Sequence, residues 1–183
     1  MTRPLVAVAL REEAAYLDSG AVDVVLTGPG KVSAALAVTE AIVRLAPAVV
    51  VNVGTAGALR PGLSGTLRVG TVIEHDFDHA GLTALLGVEL PGPIQLTDES
   101  DLVLATGDSF VQGGPLRDAL AERADLVDME GYAVARACSA AGVSCEMWKV
   151  VSDEATEGAL RSWQESIDAS ARRIAEIVRK LLR

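Results

Sequence analysis

Short, predominantly apolar runs at intervals along the chain are the feature that most constrains its fold. They occupy residues 5–10, 22–27, 48–53 and 144–151, and the first three end at polar or glycine-containing loops. Short runs of this kind are typical of strands that are covered on both faces. Residues 31–45 lie between two of these runs and have the apolar spacing of a helix. Strands that alternate with helices predict an α/β fold, in which helices cover both faces of a mostly parallel sheet.

Additional elements continue this pattern to the end of the chain. They are predicted helices at 11–17, 115–123, 130–141 and after Gly158, and predicted strands at 102–105 and 124–127. Residues 58–100 hold three of the seven prolines, and their strand-like segments are 66–73 and 82–88. No repeat or linker divides the chain, so we expect a single domain over residues 1–183.

Composition excludes several classes of function. The chain has 25 Asp and Glu residues against 16 Lys and Arg, a formal net charge of −9, whereas nucleic-acid binding needs concentrated positive charge. No apolar run approaches the ~20 residues of a membrane-spanning helix. Cys138 and Cys145 lack metal-ligand spacing and are expected to stay reduced. The N-terminus passes directly into the first apolar run with no leader pattern, so we expect a cytoplasmic protein without nucleic-acid or membrane partners.

Three acidic residues stand at predicted strand ends: Glu13, Glu130 and Asp153. In an α/β sheet, ligands bind beyond the carboxyl ends of the strands, so these side chains are expected to meet there. Carboxyl groups that converge in a cleft repel one another and lose hydration, which separates an acid from a base, as glycosidic bond cleavage requires. The alternative is that Glu12, Glu13 and Glu130 merely offset helix dipoles in the first turns of helices.

Three loops are further candidates for a site. Gly54-Thr55-Ala56-Gly57 follows a buried strand and either leaves room for a ligand beside its backbone N–H groups or forms an ordinary turn. Gly28-Pro29-Gly30-Lys31-Val32-Ser33 lacks the spacing of a phosphate-binding loop, which favours a plain helix start. The third candidate is the segment His75-Asp76-Phe77-Asp78-His79. Its side chains form a metal cluster only if the chain bends there. We favour the alternative, in which the segment is a polar edge or an interface.

Six segments together resemble the purine nucleoside phosphorylase/uridine phosphorylase superfamily, and most of all its 5'-methylthioadenosine/S-adenosylhomocysteine nucleosidases. They occur in the family's order, at residues 12–13, 27–35, 51–57, 106–110, 128–133 and 150–153. The resemblance implies a three-layer α/β sandwich with a mostly parallel, mixed central sheet flanked by helices. It also implies an N-ribosyl hydrolase that splits a purine nucleoside or 5'-substituted adenosine into free base and ribose moiety.

The resemblance assigns roles to individual residues. Asp153, supported by Ser152, protonates the purine leaving group, Glu13 activates the attacking water, and Glu130 holds the ribose hydroxyls. The other implied substrate contacts are Met129 under the sugar, Phe110 stacked on the base, the Val111 backbone at the base edge, and Thr55, Ala56 and Gly57 in the loop near the water. Side chains perform both the protonation and the water activation, so neither a cofactor nor a metal is expected.

Phosphorolysis is the main rival activity. Hexameric phosphorylases of the superfamily have an arginine just before the Gly-[Ser/Thr] turn, where this chain has the neutral Asn52 found in nucleosidases. Arg60 and Arg68 are the nearby cations that would have to replace it. Two further alternatives are a non-catalytic nucleoside-binding protein and a metal hydrolase centred on His75 and His79.

The chain is shorter than usual for the family. Residues 16–28 leave no room for the family's β-hairpin, and residues 81–106 omit a helix. In the family these parts help to enclose the 5' substituent, partly across a dimer interface. We therefore expect a homodimer whose partner supplies part of the pocket wall, with a 5' group that the sequence leaves open.

Overall fold

Nine strands in one sheet and five helices make up the computed structural model, which describes residues 3–182. Residues 1 and 2 belong to the N-terminal segment in which the sequence shows no leader pattern, and they lie outside this range. The strands are β1 (Leu5–Val8), β2 (Asp23–Leu26), β3 (Val49–Ala58), β4 (Thr66–Arg68), β5 (Thr71–Glu74), β6 (Ile94–Gln95), β7 (Val103–Thr106), β8 (Leu126–Asp128) and β9 (Ser144–Asp153). The helices are α1 (Lys31–Leu45), α2 (His79–Leu86), α3 (Gly114–Ala121), α4 (Gly131–Ala141) and α5 (Ala159–Leu181).

The sheet is mixed but mostly parallel, which confirms the predicted fold class. Its order is β2-β1-β3-β8-β7-β5-β6, and β9 pairs with both β3 and β4. The pairs β1–β2, β1–β3, β3–β9, β5–β7 and β7–β8 are parallel. The pairs β3–β8, β4–β9 and β5–β6 are antiparallel.

Helices on both faces explain why the central strands are apolar at successive positions. Leu5 and Ala7 of β1 belong to a core cluster with α1 and α4, whereas Val6 and Val8 pack with Ile174 and other residues of α5. Successive side chains of a strand point to opposite faces, so both sets must be apolar when both faces are covered. No helix within residues 3–182 is long and apolar enough to cross a membrane.

A break in strand pairing along β3 creates the space for a site. β1 pairs with β3 only as far as Asn52, and β8 pairs with β3 only from Gly57 onward. The edge of β3 between these two residues therefore has backbone groups that need other partners. On the other side of β3, the ladder with β9 is irregular between Ala56 and Gly57, and Ser152 is the extra residue of this bulge. Bulges of this kind redirect side chains next to active sites.

Two local predictions were wrong. Residues 82–88 were expected to be strand-like, but α2 covers most of them, starting after Asp78, whose side chain accepts the Gly81 N–H at 2.9 Å. None of the α2 residues is buried, so its leucines do not mark a core face. Residues 11–16 form consecutive turns rather than a helix. The segment from His75 to His79 is not extended, since β5 ends at Glu74 and α2 begins at His79.

Gly57 is expected to tolerate no side chain, because it packs against the bulge. A Cβ at this position would lie 3.0 Å from Asp153 Oδ1, 3.1 Å from Ala155 Cβ and 3.2 Å from a Val127 methyl group. We predict that Gly57→Ala lowers the free energy of unfolding by roughly 1–3 kcal/mol, the usual cost of overpacking. Denaturant titration of the variant measures this loss.

Gly92→Ala is the matched control, because a Cβ there meets no atom within 4 Å. This variant is expected to stay within about 0.5 kcal/mol of the wild type. Equal stability of the two variants would contradict the packing that we assign to Gly57.

Candidate active site

A cavity of about 250 Å³ opens at the break in β3 pairing, beyond the carboxyl ends of β1 and β8. All ten residues that the sequence analysis selected line it: Glu13, Thr55, Ala56, Gly57, Phe110, Val111, Met129, Glu130, Ser152 and Asp153. These residues come from five separate stretches of the chain. The structure therefore brings together every predicted site residue, including the three predicted acids.

Glu13 occupies the break in β3 itself. Its Oε1 accepts both the backbone N–H and the hydroxyl of Thr55, each at 2.8 Å, and its Oε2 accepts the Leu10 N–H at 3.2 Å. Glu13 is 2% exposed, whereas its neighbour Glu12 is exposed to solvent. The carboxylate thus replaces a missing strand as the acceptor for β3. Since Oε2 has the longer hydrogen bond, it is the oxygen with more capacity for a further partner.

Glu130 lies on the opposite wall, at the residue that precedes α4. Its Oε1 accepts the N–H of Gly30 at 2.8 Å. Gly30 has a φ of +88°, which favours glycine, and it is the residue from which α1 begins. The loop before α1 is therefore a helix start, as favoured from the sequence, and it also fixes one oxygen of Glu130.

The backbone N–H groups at the start of α4 donate to residues other than Glu130. Asp128 Oδ2 accepts the Gly131 N–H at 2.9 Å, and the Thr106 hydroxyl accepts the Tyr132 N–H at 2.9 Å. Glu130 makes no side-chain capping bond to its own helix. Glu130 therefore stands at a helix start, as the dipole alternative requires, but its Oε1 is bound to the loop before α1, and Oε2 remains for a ligand.

Lys149 is a site residue that the sequence analysis missed. It lies on β9, is 1% exposed, and places its Nζ 2.8 Å from Asp128 Oδ2. Burial by itself lowers the pKa of Lys149, but the Asp128 carboxylate, with those of Glu130 and Glu13, raises it above its ordinary value. The ammonium group is therefore both charged and buried. A lysine in the middle of a strand gives no sequence signal of this role, because it resembles an exposed strand position.

The environment of Glu130 favours its neutral form. Burial raises the pKa of Glu130 to about 7, and the Asp128 carboxylate contributes in the same direction. The Lys149 ammonium and the Gly30 N–H oppose this rise, and Glu13 adds to it weakly. Of the three predicted acids, Glu13 and Glu130 are thus close enough in the cavity to interact, and the pKa of Glu130 is raised, as was expected for at least one of the acids.

Asp153 is fixed by the bulge between β3 and β9. Its Oδ2 accepts the Ser152 hydroxyl at 2.8 Å, and its Oδ1 accepts the Ala155 N–H at 2.8 Å. Ala155 has a φ of +51°, a strained conformation for a residue with a side chain. The Ser152 hydroxyl also lies 3.4 Å from the Ala56 carbonyl, so it has a second acceptor when Asp153 carries a proton.

Trp163 and Leu160 were also missed, and both line the cavity from the first turns of α5. Phe110 lies at the mouth with its side chain exposed, and Leu10 and Pro29 contribute further apolar surface. The sequence analysis predicted α5 only as a helix after Gly158, with no role in a site. Its first turns therefore gave no indication that they cover a site.

Neither candidate arginine reaches the cavity. Arg60 pairs with Asp125 at 3.0 Å, and Arg68 pairs with Glu99 and lies over the Trp148 ring. Among the described residues that line the cavity, Lys149 is the one cation, and it is already paired.

The histidine segment does not form a metal site in the described part of the chain, where no group of three or more His, Cys, Asp or Glu side chains could hold an ion. His79 Nε2 lies 3.2 Å from Glu74 Oε2. Lys31 binds Glu74 at 2.6 Å and Asp76 at 2.5 Å, and Asp76 accepts the Asp108 N–H. These contacts join the loop before α1 to the ends of β5 and β7, as a polar edge would.

The fold and the cavity together define an α/β protein with an acidic ligand site at the carboxyl edge of its sheet. The Phosphorylase superfamily profile matches residues 11–97 and 100–183. The chain belongs to this superfamily.

Similar proteins identify the branch. A 5'-methylthioadenosine/S-adenosylhomocysteine nucleosidase of Staphylococcus carnosus is 31% identical, over 92% of this chain and 84% of the relative. An aminodeoxyfutalosine nucleosidase of Helicobacter pylori is 29% identical, over 84% of this chain and 76% of that relative. The crystal structure of a Helicobacter pylori 5'-methylthioadenosine/S-adenosylhomocysteine nucleosidase with butyl-thio-DADMe-Immucillin-A has a TM-score of 0.87 at 25% identity, covering 100% of this chain and 98% of that one.

The raised pKa of Glu130 predicts a pH-dependent cost to stability. The pKa of Glu130 is near 4.5 in the unfolded state and about 7 in the folded state. Between these pH values the folded state binds more protons than the unfolded state, so the free energy of unfolding falls as the pH rises from 4.5 to 7. Glu130→Gln removes the ionisation. We predict that the variant gains roughly 3 kcal/mol on the wild type between pH 4.5 and pH 8, measured by denaturant unfolding at each pH.

Glu12→Gln provides the control, because Glu12 is exposed beside the buried Glu13. Its stability difference from the wild type is expected to stay nearly constant over the same pH range. A constant difference for Glu130→Gln as well would show that Glu130 ionises in the folded protein as it does in water.

Proposed function

We propose that this chain is a nucleosidase that hydrolyses the N-glycosidic bond of a purine nucleoside or a 5'-substituted adenosine. The products are the free base and the ribose moiety. The observation that carries the proposal is the meeting of Glu13, Glu130 and Asp153 in one cavity of about 250 Å³. Similarity to a 5'-methylthioadenosine/S-adenosylhomocysteine nucleosidase and to an aminodeoxyfutalosine nucleosidase supports it.

Asp153 is the proposed acid. Its proton passes to N7 of the purine as the bond between the anomeric carbon and the base breaks, and the bonding electrons stay with the base. A protonated purine leaves far more readily than its anion. The Ser152 hydroxyl, which has both Asp153 Oδ2 and the Ala56 carbonyl within reach, supports either protonation state of the acid. Phe110 stacks on the base and the Val111 backbone binds its edge.

Glu13 is the proposed base and Glu130 the proposed ribose ligand. Water attacks the anomeric carbon and gives its proton to Glu13 Oε2, the oxygen with the weaker hydrogen bond. Glu130 Oε2 accepts the ribose hydroxyls while Oε1 stays bound to Gly30, and Met129 lies beneath the sugar. The transition state resembles a ribosyl cation, which the surrounding carboxylates stabilise.

The charge of the cavity favours water over phosphate as the nucleophile. Among its described lining residues are four carboxyl groups and a single ammonium group, which is paired with Asp128. A phosphate dianion would therefore meet negative charge without an unpaired cation to bind it. This is the electrostatic reason for placing the chain with the hydrolases rather than the phosphorylases of its superfamily.

A homodimer is part of the proposal. Val32, Leu36 and Val43 are 71%, 68% and 81% exposed on α1, and they recur at helical spacing. Leu85 and Leu86 add exposed apolar surface on α2. Apolar side chains that recur on one helix face normally need a covering partner. The cytoplasmic location expected from the sequence stays a prediction.

A panel of nucleosides tests the activity. The protein is incubated with adenosine, 5'-methylthioadenosine, inosine and uridine, with and without phosphate, and the free base and free ribose moiety are quantified. We predict base release from the adenosine compounds at the same rate in both conditions, with free ribose rather than ribose phosphate as the co-product. A strict requirement for phosphate would replace the proposal by phosphorolysis.

Asp153→Asn is the control in that panel. It removes the proton donor but keeps the shape of the side chain, so turnover is expected to fall by several orders of magnitude while binding persists. Nucleoside binding without base release in both proteins would favour the non-catalytic alternative.

Glu13 and Glu12 form a matched pair for testing the base. We predict that Glu13→Gln lowers kcat at least about 100-fold, the usual scale of general base catalysis, whereas Glu12→Gln changes it less than about twofold. Steady-state kinetics on the best nucleoside of the panel measure both. The reverse ranking would assign the base to the exposed residue and contradict the cavity geometry.

A further inference from the structure

Trp163 is linked to the proposed base through one hydroxyl group. The residue lies in the second turn of α5, is half-buried, and lines the cavity. Its indole Nε1 lies 3.0 Å from Thr55 Oγ1, and Thr55 Oγ1 lies 2.8 Å from Glu13 Oε1. This contact joins residues 108 positions apart in the sequence. It connects the helix that covers the cavity to the strand edge that holds the carboxylate.

The direction of this chain of hydrogen bonds follows from the chemistry of its members. An indole N–H can only donate, and an ionised carboxylate can only accept. Thr55 Oγ1 therefore accepts from Trp163 and points its own hydrogen at Glu13 Oε1. Without Trp163 the Thr55 hydroxyl loses a partner and is free to rotate or to bind water instead. The indole thus determines where the Thr55 hydrogen points.

The consequence concerns which oxygen of Glu13 is left for water. Oε1 is occupied by two donors from Thr55, whereas Oε2 has only the longer bond from Leu10. We propose that Trp163 is a positioning residue for hydrolysis: through Thr55 it holds Glu13 Oε1, so that Oε2 faces the attacking water. This role rests on the proposed function, because it acts through Glu13 as the base.

Trp163→Phe tests the role, since phenylalanine keeps an aromatic wall but lacks the N–H. The expected result is a fall in kcat of roughly three- to tenfold, the scale of one hydrogen bond, with KM within about twofold of the wild type. The control is Trp148→Phe at the other of the chain's two tryptophans. The Trp148 Nε1 is buried without a hydrogen-bond partner, so its removal is expected to leave kcat unchanged. An unchanged kcat in Trp163→Phe overturns the proposal.

A double-variant cycle separates positioning from a general loss of structure. Thr55→Val keeps the branched shape but removes the hydroxyl through which Trp163 acts. In that background, Trp163→Phe is expected to lower kcat by less than about 1.5-fold, because the pathway is already broken. If the two losses multiply instead, Trp163 does not act through Thr55 and the proposal is wrong.

The indole N–H resonances provide a readout that does not depend on activity. The two Trp→Phe variants assign one resonance each to Trp148 and Trp163. In Thr55→Val, the Trp163 resonance is expected to move upfield and its exchange with solvent to accelerate about tenfold, whereas the Trp148 resonance stays in place. If the wild type hydrolyses no nucleoside, the proposed function fails, and this measurement still decides whether the hydrogen bond exists. An unmoved Trp163 resonance overturns the inference.

Discussion

The carboxylate of Glu13 in the gap of β3 is the interaction on which the site depends. β1 leaves β3 after Asn52, and β8 joins it only at Gly57. Between them, the Thr55 N–H must find an acceptor, because an unpaired backbone donor in a buried strand is costly. Glu13 supplies that acceptor at 2.8 Å. The group that completes the sheet is therefore the same group that faces the cavity, so the architecture and the proposed chemistry have one origin.

The charged groups that line the cavity differ in whether they have an ion-pair partner. Lys149 forms an ion pair with Asp128, which is itself bound to the start of α4, and the other acids of the described cavity lining, Glu13, Glu130 and Asp153, have no ion pair. Burial raises the pKa of Glu130 to about 7, so its ionised form is costly in this cavity. A substrate that brings hydroxyl donors and develops positive charge relieves that cost. The site is thus less stable without its ligand than an apolar or neutral cavity would be, as is common for functional sites.

Much of the fold was predictable because strands that are buried on both faces are apolar at successive positions. In β1, for example, alternate residues pack on α1 and on α5. The meeting of the predicted residues in one cavity was also predictable, because the ends of parallel strands converge whatever their separation in sequence. Lys149 and Trp163 were not predicted, since their roles come from cross-strand and helix–sheet contacts that have no local pattern. The helix α2 was mistaken for a strand because its leucines are exposed and follow no core periodicity.

The most direct test of the account is a crystal structure of the Asp153→Asn variant with adenosine bound. The account predicts one nucleoside in the cavity, with its ribose hydroxyls on Glu130, a water between the anomeric carbon and Glu13, and base N7 within about 3 Å of the side chain at position 153. A nucleoside bound elsewhere, or one in the cavity that leaves any of these three side chains without a contact, would contradict it.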